Sequence, residues 1–121
     1  MTINVKNGEF QFNKWILSPE DVLNEIKNKF SSNEFELRLK NDQWATYRLN
    51  ISEEYIINIF FLNEKIEFIE IYPKNITEDK IEHALQIILK DLDGVKNYSW
   101  GKVELNVDNK SGYKSIVIRY H

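Results

Sequence analysis

Few residues in this chain have the type and spacing for chemistry. There are two histidines, His83 and His121, and no cysteine. A histidine metal site needs further ligands at fixed spacing. Asp79, four residues before His83, can share a helical face with it, whereas adjacent Glu82 points elsewhere. One histidine and one aspartate do not make a zinc site. Without cysteine there is no disulfide framework, thiolate zinc site, iron–sulfur cluster or cysteine nucleophile. Glu53-Glu54, Glu78-Asp79 and Asp91/Asp93 fall at turns or helix ends, and Glu64, Glu67 and Glu70 flank or occupy one strand. A general acid requires an apolar pocket, and nothing in these spacings supplies one. Glycine-rich phosphate loops and a Gly-X-Ser-X-Gly elbow are absent, and four glycines leave little room for them. The serines have no evident histidine partner. The reading is a non-enzyme with no catalytic, cofactor-binding or metal residues, and no cofactor.

Trp44 and Trp100 carry more information. Each falls on the strand face opposite the clearest apolar alternation, Trp44 with Thr46 and Arg48, and Trp100 with Lys102 and Glu104. Aromatics beside arginine on a solvent face are typical interface anchors. Trp44, Arg48, Trp100, Lys102 and Glu104 are therefore the candidate partner-binding residues. The competing reading buries both indoles under a loop or the first strand of a curved sheet.

The elements that must position these residues follow from periodicity. Residues 9–16 read as a strand with Phe10 and Phe12 on one face. Ser18-Pro19-Glu20-Asp21 is a helix start, and Val22, Leu23, Ile26 and Phe30 form its apolar stripe. Four strands follow, over 34–40, 43–50, 54–62 and 65–72. The first turns Phe35, Leu37 and Leu39 inward, and the third is apolar on both faces, as a central strand should be. In the fourth, alternation breaks between Phe68 and Ile69, which predicts a bulge or two-sided burial. After Pro73, Thr77-Glu78-Asp79 starts a second helix with Ile81, Leu85, Ile88 and Leu92 on one face, ended by Gly94. Residues 97–107 and 113–120 form a closing hairpin. The expectation is one α+β domain over 1–121, mainly antiparallel, in the order β-α-β-β-β-β-α-β-β. Both helices pack on one face of the sheet and leave the other open.

Composition narrows the partners. The net charge of −3 and pI near 5.4 argue against nucleic acid. No segment reaches the roughly 20 apolar residues of a membrane helix, and residues 1–9 lack a signal-peptide pattern, so the expected location is cytoplasmic, with no membrane partner. Richness in Asn, Ile and Lys reads as the imprint of an AT-rich, bacterial genome. That explains the Asn-X-Ser/Thr sequences at Asn50, Asn75, Asn97 and Asn109 without glycosylation.

The closing hairpin carries a resemblance. Trp100-Gly101-Lys102-Val103-Glu104, the turn Asp108-Asn109-Lys110-Ser111-Gly112, and Ser115-Ile116-Val117-Ile118-Arg119-Tyr120 resemble the end of small bacterial immunity proteins of polymorphic-toxin and contact-dependent inhibition systems. The resemblance covers about a fifth of the chain. It implies a non-catalytic, protein-binding domain whose partner is a cognate toxin, and it transfers no binding residue. Two rivals stay open. One is a dimeric secretion chaperone, although the chain lacks that family's final helix. The other is a small ligand-binding or enzymatic roll in which Tyr47, Tyr55, Asn58 or His83 converge on a cavity. Oligomeric state stays open as well.

Overall fold

The computed structural model describes residues 2–74, 83, 86, 97–107, 109–112 and 114–121. Thr2–Ile3 (β1), Phe10–Phe12 (β2) and Trp15–Leu17 (β3) form a three-stranded antiparallel sheet. The single strand expected over 9–16 is thus a hairpin. Asn13 takes φ 53°, a left-handed conformation that asparagine tolerates better than most residues. The chain reverses there, so that Phe12 pairs with Trp15 and Phe10 with Leu17.

Ser18–Asp21 is a turn and not the first turn of the helix. Asp21 N–H donates to the Ser18 carbonyl at 3.0 Å, and the Asp21 carboxylate accepts from Ser18 N–H at 2.9 Å. The helix, Leu23–Lys29 (α1), has Val22 at its N-cap and no side-chain cap bond. A tertiary contact sets its start: Leu23 N–H donates to the Glu64 carbonyl at 2.8 Å. Leu23, Ile26 and Phe30 are buried, as their spacing requires.

The second sheet comprises Phe35–Lys40 (β4), Trp44–Leu49 (β5), Tyr55–Leu62 (β6), Lys65–Pro73 (β7), Asn97–Tyr98 (β8), Gly101–Val107 (β9) and Lys114–Tyr120 (β10). Its order is β4-β5-β6-β7-β10-β9-β8, with every pairing antiparallel. β10 lies inside the sheet because both its faces are buried: Ile116, Ile118 and Tyr120 on one, Ser115 and Val117 on the other. The alternation break in β7 is a bulge, since Phe60 opposes Phe68 while Phe61 opposes Ile66, with Glu67 left over. A second bulge lies in β4, where Leu37 opposes Tyr47 but Leu39 opposes Thr46. It moves Leu39 off the inner face that Phe35 and Leu37 share.

The core lies between the two sheets. Ala45, Tyr47, Leu49, Ile57, Ile59 and Phe61 face Ile3, Phe10 and Leu17 of the small sheet and Leu23, Ile26 and Phe30 of the helix region. Each large side chain so buried stabilises the fold by about 1.5–3 kcal/mol. An aromatic chain closes one end, with ring centroids 5.6 Å apart for Trp15–Phe30, 6.0 Å for Phe30–Phe35 and 4.3 Å for Phe35–Tyr47.

This corrects the expected fold. In place of one sheet carrying two helices on a face, there are two sheets, and the layer on the large sheet is α1 together with β1–β3. Among the described residues α1 is the one continuous helix. The second expected helix falls outside them except for His83 and Gln86, both helical and exposed. The opposite face, called outer here, is not open at its centre: Val117 is 3% exposed and Asn58 7%.

Two substitutions test the backbone. Gly101 has φ 154°, and a Cβ there would run into the Arg119 carbonyl oxygen. Gly101→Ala should destabilise the protein by at least about 2 kcal/mol in urea unfolding; an unchanged midpoint would refute that close approach. Asn63 and Glu64, at φ 50° and 68°, form a two-residue hairpin connection of the type that favours glycine second. Glu64→Gly should raise stability by about 0.5–1 kcal/mol, because the α1 contact uses only the Glu64 backbone.

Candidate functional site

Strand parity and strand order decide which candidate residues share a surface. Trp44, Thr46 and Arg48 lie on the outer face of β5, and Lys102 and Glu104 on the outer face of β9. β6, β7 and β10 stand between them. Four spacings of about 4.8 Å separate the two groups by about 19 Å, so they form two clusters.

On β9, Glu104 takes both cations within reach, Lys102 at 3.4 Å and Arg119 at 3.7 Å, all substantially exposed. Exposed pairs of this kind contribute up to about 1 kcal/mol. The Arg119 guanidinium also lies 4.7 Å from the Phe68 ring centre, and Phe68 stacks on Phe60 at 4.1 Å. These groups largely satisfy one another.

Trp100 joins neither cluster. It sits in the turn between β8 and β9, on the inner side. Its indole N–H donates to the Val5 carbonyl at 2.9 Å, its ring stacks on Tyr98 at 5.1 Å, and a Cβ at Gly8 would lie 2.6 Å from ring atoms. The neighbouring Tyr120 hydroxyl donates to the Gly8 carbonyl at 2.8 Å. Burial, helped by the charges of Asp21 and Glu9, raises the Tyr120 pKa well above the ordinary phenol value. It therefore remains a donor at any physiological pH. Trp100 is partly buried against the core, and its indole fastens the loop before β2 to the large sheet.

Trp44 is 40% exposed, and Leu39, brought to the same face by the β4 bulge, is 64% exposed. They are diagonal neighbours across the β4–β5 pair. Leu62, opposite Trp44, and Phe60, opposite Thr46, are half-buried beside them. An open hollow of about 370 Å³ adjoins Trp44 at this end of the sheet, lined by Leu23, Lys40, Asp42, Phe61 and Glu64 among others. Sequence reading missed Leu39, since strict alternation assigned it inward; only a signal for the bulge could have found it.

Arg48 lies one row further along β5. Its Nε donates to Asn58 Oδ1 at 3.3 Å and its Nη2 to the Tyr72 hydroxyl at 3.4 Å. The four groups of the roll hypothesis do not converge: Tyr47 and Tyr55 face inward, Asn58 faces outward, and His83 is exposed. Burial, followed by the nearby charge of Glu54, raises the Tyr55 pKa. Among the described residues, no group of three His, Asp or Glu could hold a metal ion. No helix among them is long and apolar enough to cross a membrane.

The two tryptophans should separate in a stability measurement. Trp100→Phe removes a partly buried hydrogen bond and should cost about 1–3 kcal/mol in denaturant unfolding. Trp44→Ala should change stability by about 0.5 kcal/mol or less; equal losses would overturn these placements. No family model, curated protein or solved structure matches the chain.

Proposed function

We propose that this chain is a non-catalytic, cytoplasmic protein-binding domain that docks its partner on the Leu39–Trp44 corner of the large sheet. The observation carrying this reading is the exposure of two large apolar side chains, diagonal neighbours on one face, with half-buried Leu62 and Phe60 beside them. Isolated exposed apolar residues need no explanation, but a contiguous group rimmed by polar residues marks an interaction site. Tryptophan is the residue most enriched among energetic hot spots. Lys40, Asn41, Asp42, Gln43 and Thr46 supply the polar surroundings.

The partner we propose is a toxin domain, and the chain its bacterial immunity protein. The Trp100–Tyr120 hairpin resembles that class, and the binding role fits the absence of any recognisable catalytic motif in the sequence. In this reading the hairpin's own tryptophan and tyrosine hold the fold, whereas the β4–β5 corner meets the partner.

The test is co-expression with the polypeptides encoded beside this gene. Protection from one of them, with a direct complex, is the expected result. Leu39→Ala combined with Trp44→Ala should weaken that complex at least about tenfold while leaving the melting temperature nearly unchanged. Failure to protect against any neighbouring product would remove the immunity assignment. Full affinity in the folded double variant would remove the corner as the docking surface.

A further inference from the structure

On the outer face, Arg48 is a partly buried cation that makes no ion pair among the described residues. The described ion pairs are Lys29–Asp21, Arg38–Glu36, Lys102–Glu104 and Arg119–Glu104, and none uses Arg48. Yet its cross-strand row contains two acids. Glu36 is directly opposite on β4, and Glu70 is one strand beyond Asn58 on the other side. Both are engaged elsewhere: Glu36 accepts from Arg38 at 2.8 Å, and Glu70 accepts from Asn58 Nδ2 at 3.4 Å. Among the described residues Arg48 has only neutral acceptors, Asn58 at 3.3 Å and Tyr72 at 3.4 Å, and its Nη1 has none. A guanidinium that is partly desolvated but unpaired gains more from an incoming carboxylate than a fully solvated one does. Asn58 and Tyr72 lie within reach on one side of the guanidinium and orient it toward the outer face.

We infer that Arg48 is the electrostatic anchor of the docking surface, and that the partner segment presents a carboxylate to it while seating an apolar side chain on Leu39 and Trp44. This rests on the reading of the Leu39–Trp44 corner as the docking site and names the chemistry of its occupant. Arg48 is one cross-strand row from Leu39, whose partner is Thr46, and four residues from Trp44 along β5, about 13 Å. A single extended segment can therefore reach both. The partner's contact segment is acidic and apolar even though this chain carries a net charge of −3; a direct charge-assisted hydrogen bond to Arg48, not the net charge, selects it.

The experiment uses a random linear peptide library displayed on phage, selected on the full chain and counter-selected on its Trp44→Ala variant. Enriched peptides should carry Asp or Glu within a few residues of an aliphatic or aromatic side chain. Their Kd should rise at least about tenfold on Arg48→Gln and less on Arg48→Lys. Changing the peptide acid to its amide should give the same loss, without a further loss on Arg48→Gln. If Arg48→Gln does not fold, Arg48→Lys and the peptide-side change still decide the matter. Enrichment of peptides without an acid, affinity indifferent to Arg48, or no peptide surviving counter-selection would each overturn the inference. Dependence on Trp44 without dependence on Arg48 would leave the corner standing and reject only the acidic partner.

Discussion

The pairing of β10 with β7 holds the two ends of the chain in one molecule. Ile116 and Ile118 oppose Ile71 and Ile69, and on the far side Ile118 opposes Val103. All five side chains are fully buried. At about 1.5–3 kcal/mol each, together they contribute as much as the whole net stability of a typical domain, about 5–15 kcal/mol. Much else follows from that register. It places Tyr120 opposite Gly101, where the hydroxyl reaches the Gly8 carbonyl. It sets Trp100 over Gly8 and thereby fixes the small sheet to the large one. On the outer face it brings Arg119 over Phe68 and beside Glu104.

Legibility in the sequence tracked the range of the interaction responsible. The four strands of the meander were readable within one or two residues, because each is a local alternation tied to the next by a short turn. The β7 bulge was readable for the same reason, as a break in a period of two. Features set by backbone conformation or by distant contacts were not. The Asn13 reversal requires a positive φ that many asparagines never adopt. The start of α1 is set by a hydrogen bond from Leu23 to Glu64, some forty residues away, so the local capping signals of Ser18-Pro19-Glu20-Asp21 serve a turn instead. The strand order could not be read from periodicity, which says which face a residue lies on but not which strand lies beside it.

The same distinction explains the site. Parity correctly put Trp44 with Arg48 and Lys102 with Glu104, since each pair lies on one strand. It could not show that three strands separate the pairs, or that the chain folds back at Ser99–Trp100 and carries the second indole to the inner side. The expectation of an open outer face failed because it was drawn for a sheet carrying two helices on its other side. The buried Val117 and Asn58 leave the exposed part of that face at its margins.

The β4 bulge shapes this margin. Without it, Leu39 would follow Phe35 and Leu37 toward the inner face, and Trp44 would stand alone. Edge strands are dangerous when flat and apolar, because they invite pairing with any other strand. β4 is an edge strand with two exposed leucines, but it also carries Glu36, Arg38 and Lys40, and the bulge at Arg38 interrupts its ladder. Both devices disfavour main-chain pairing along the edge. They leave the side chains of Leu39 and Trp44 presented on the outer face, one row from Arg48. In the docking reading proposed above, blocking the unspecific use of the strand while leaving two apolar side chains exposed would favour one partner over many.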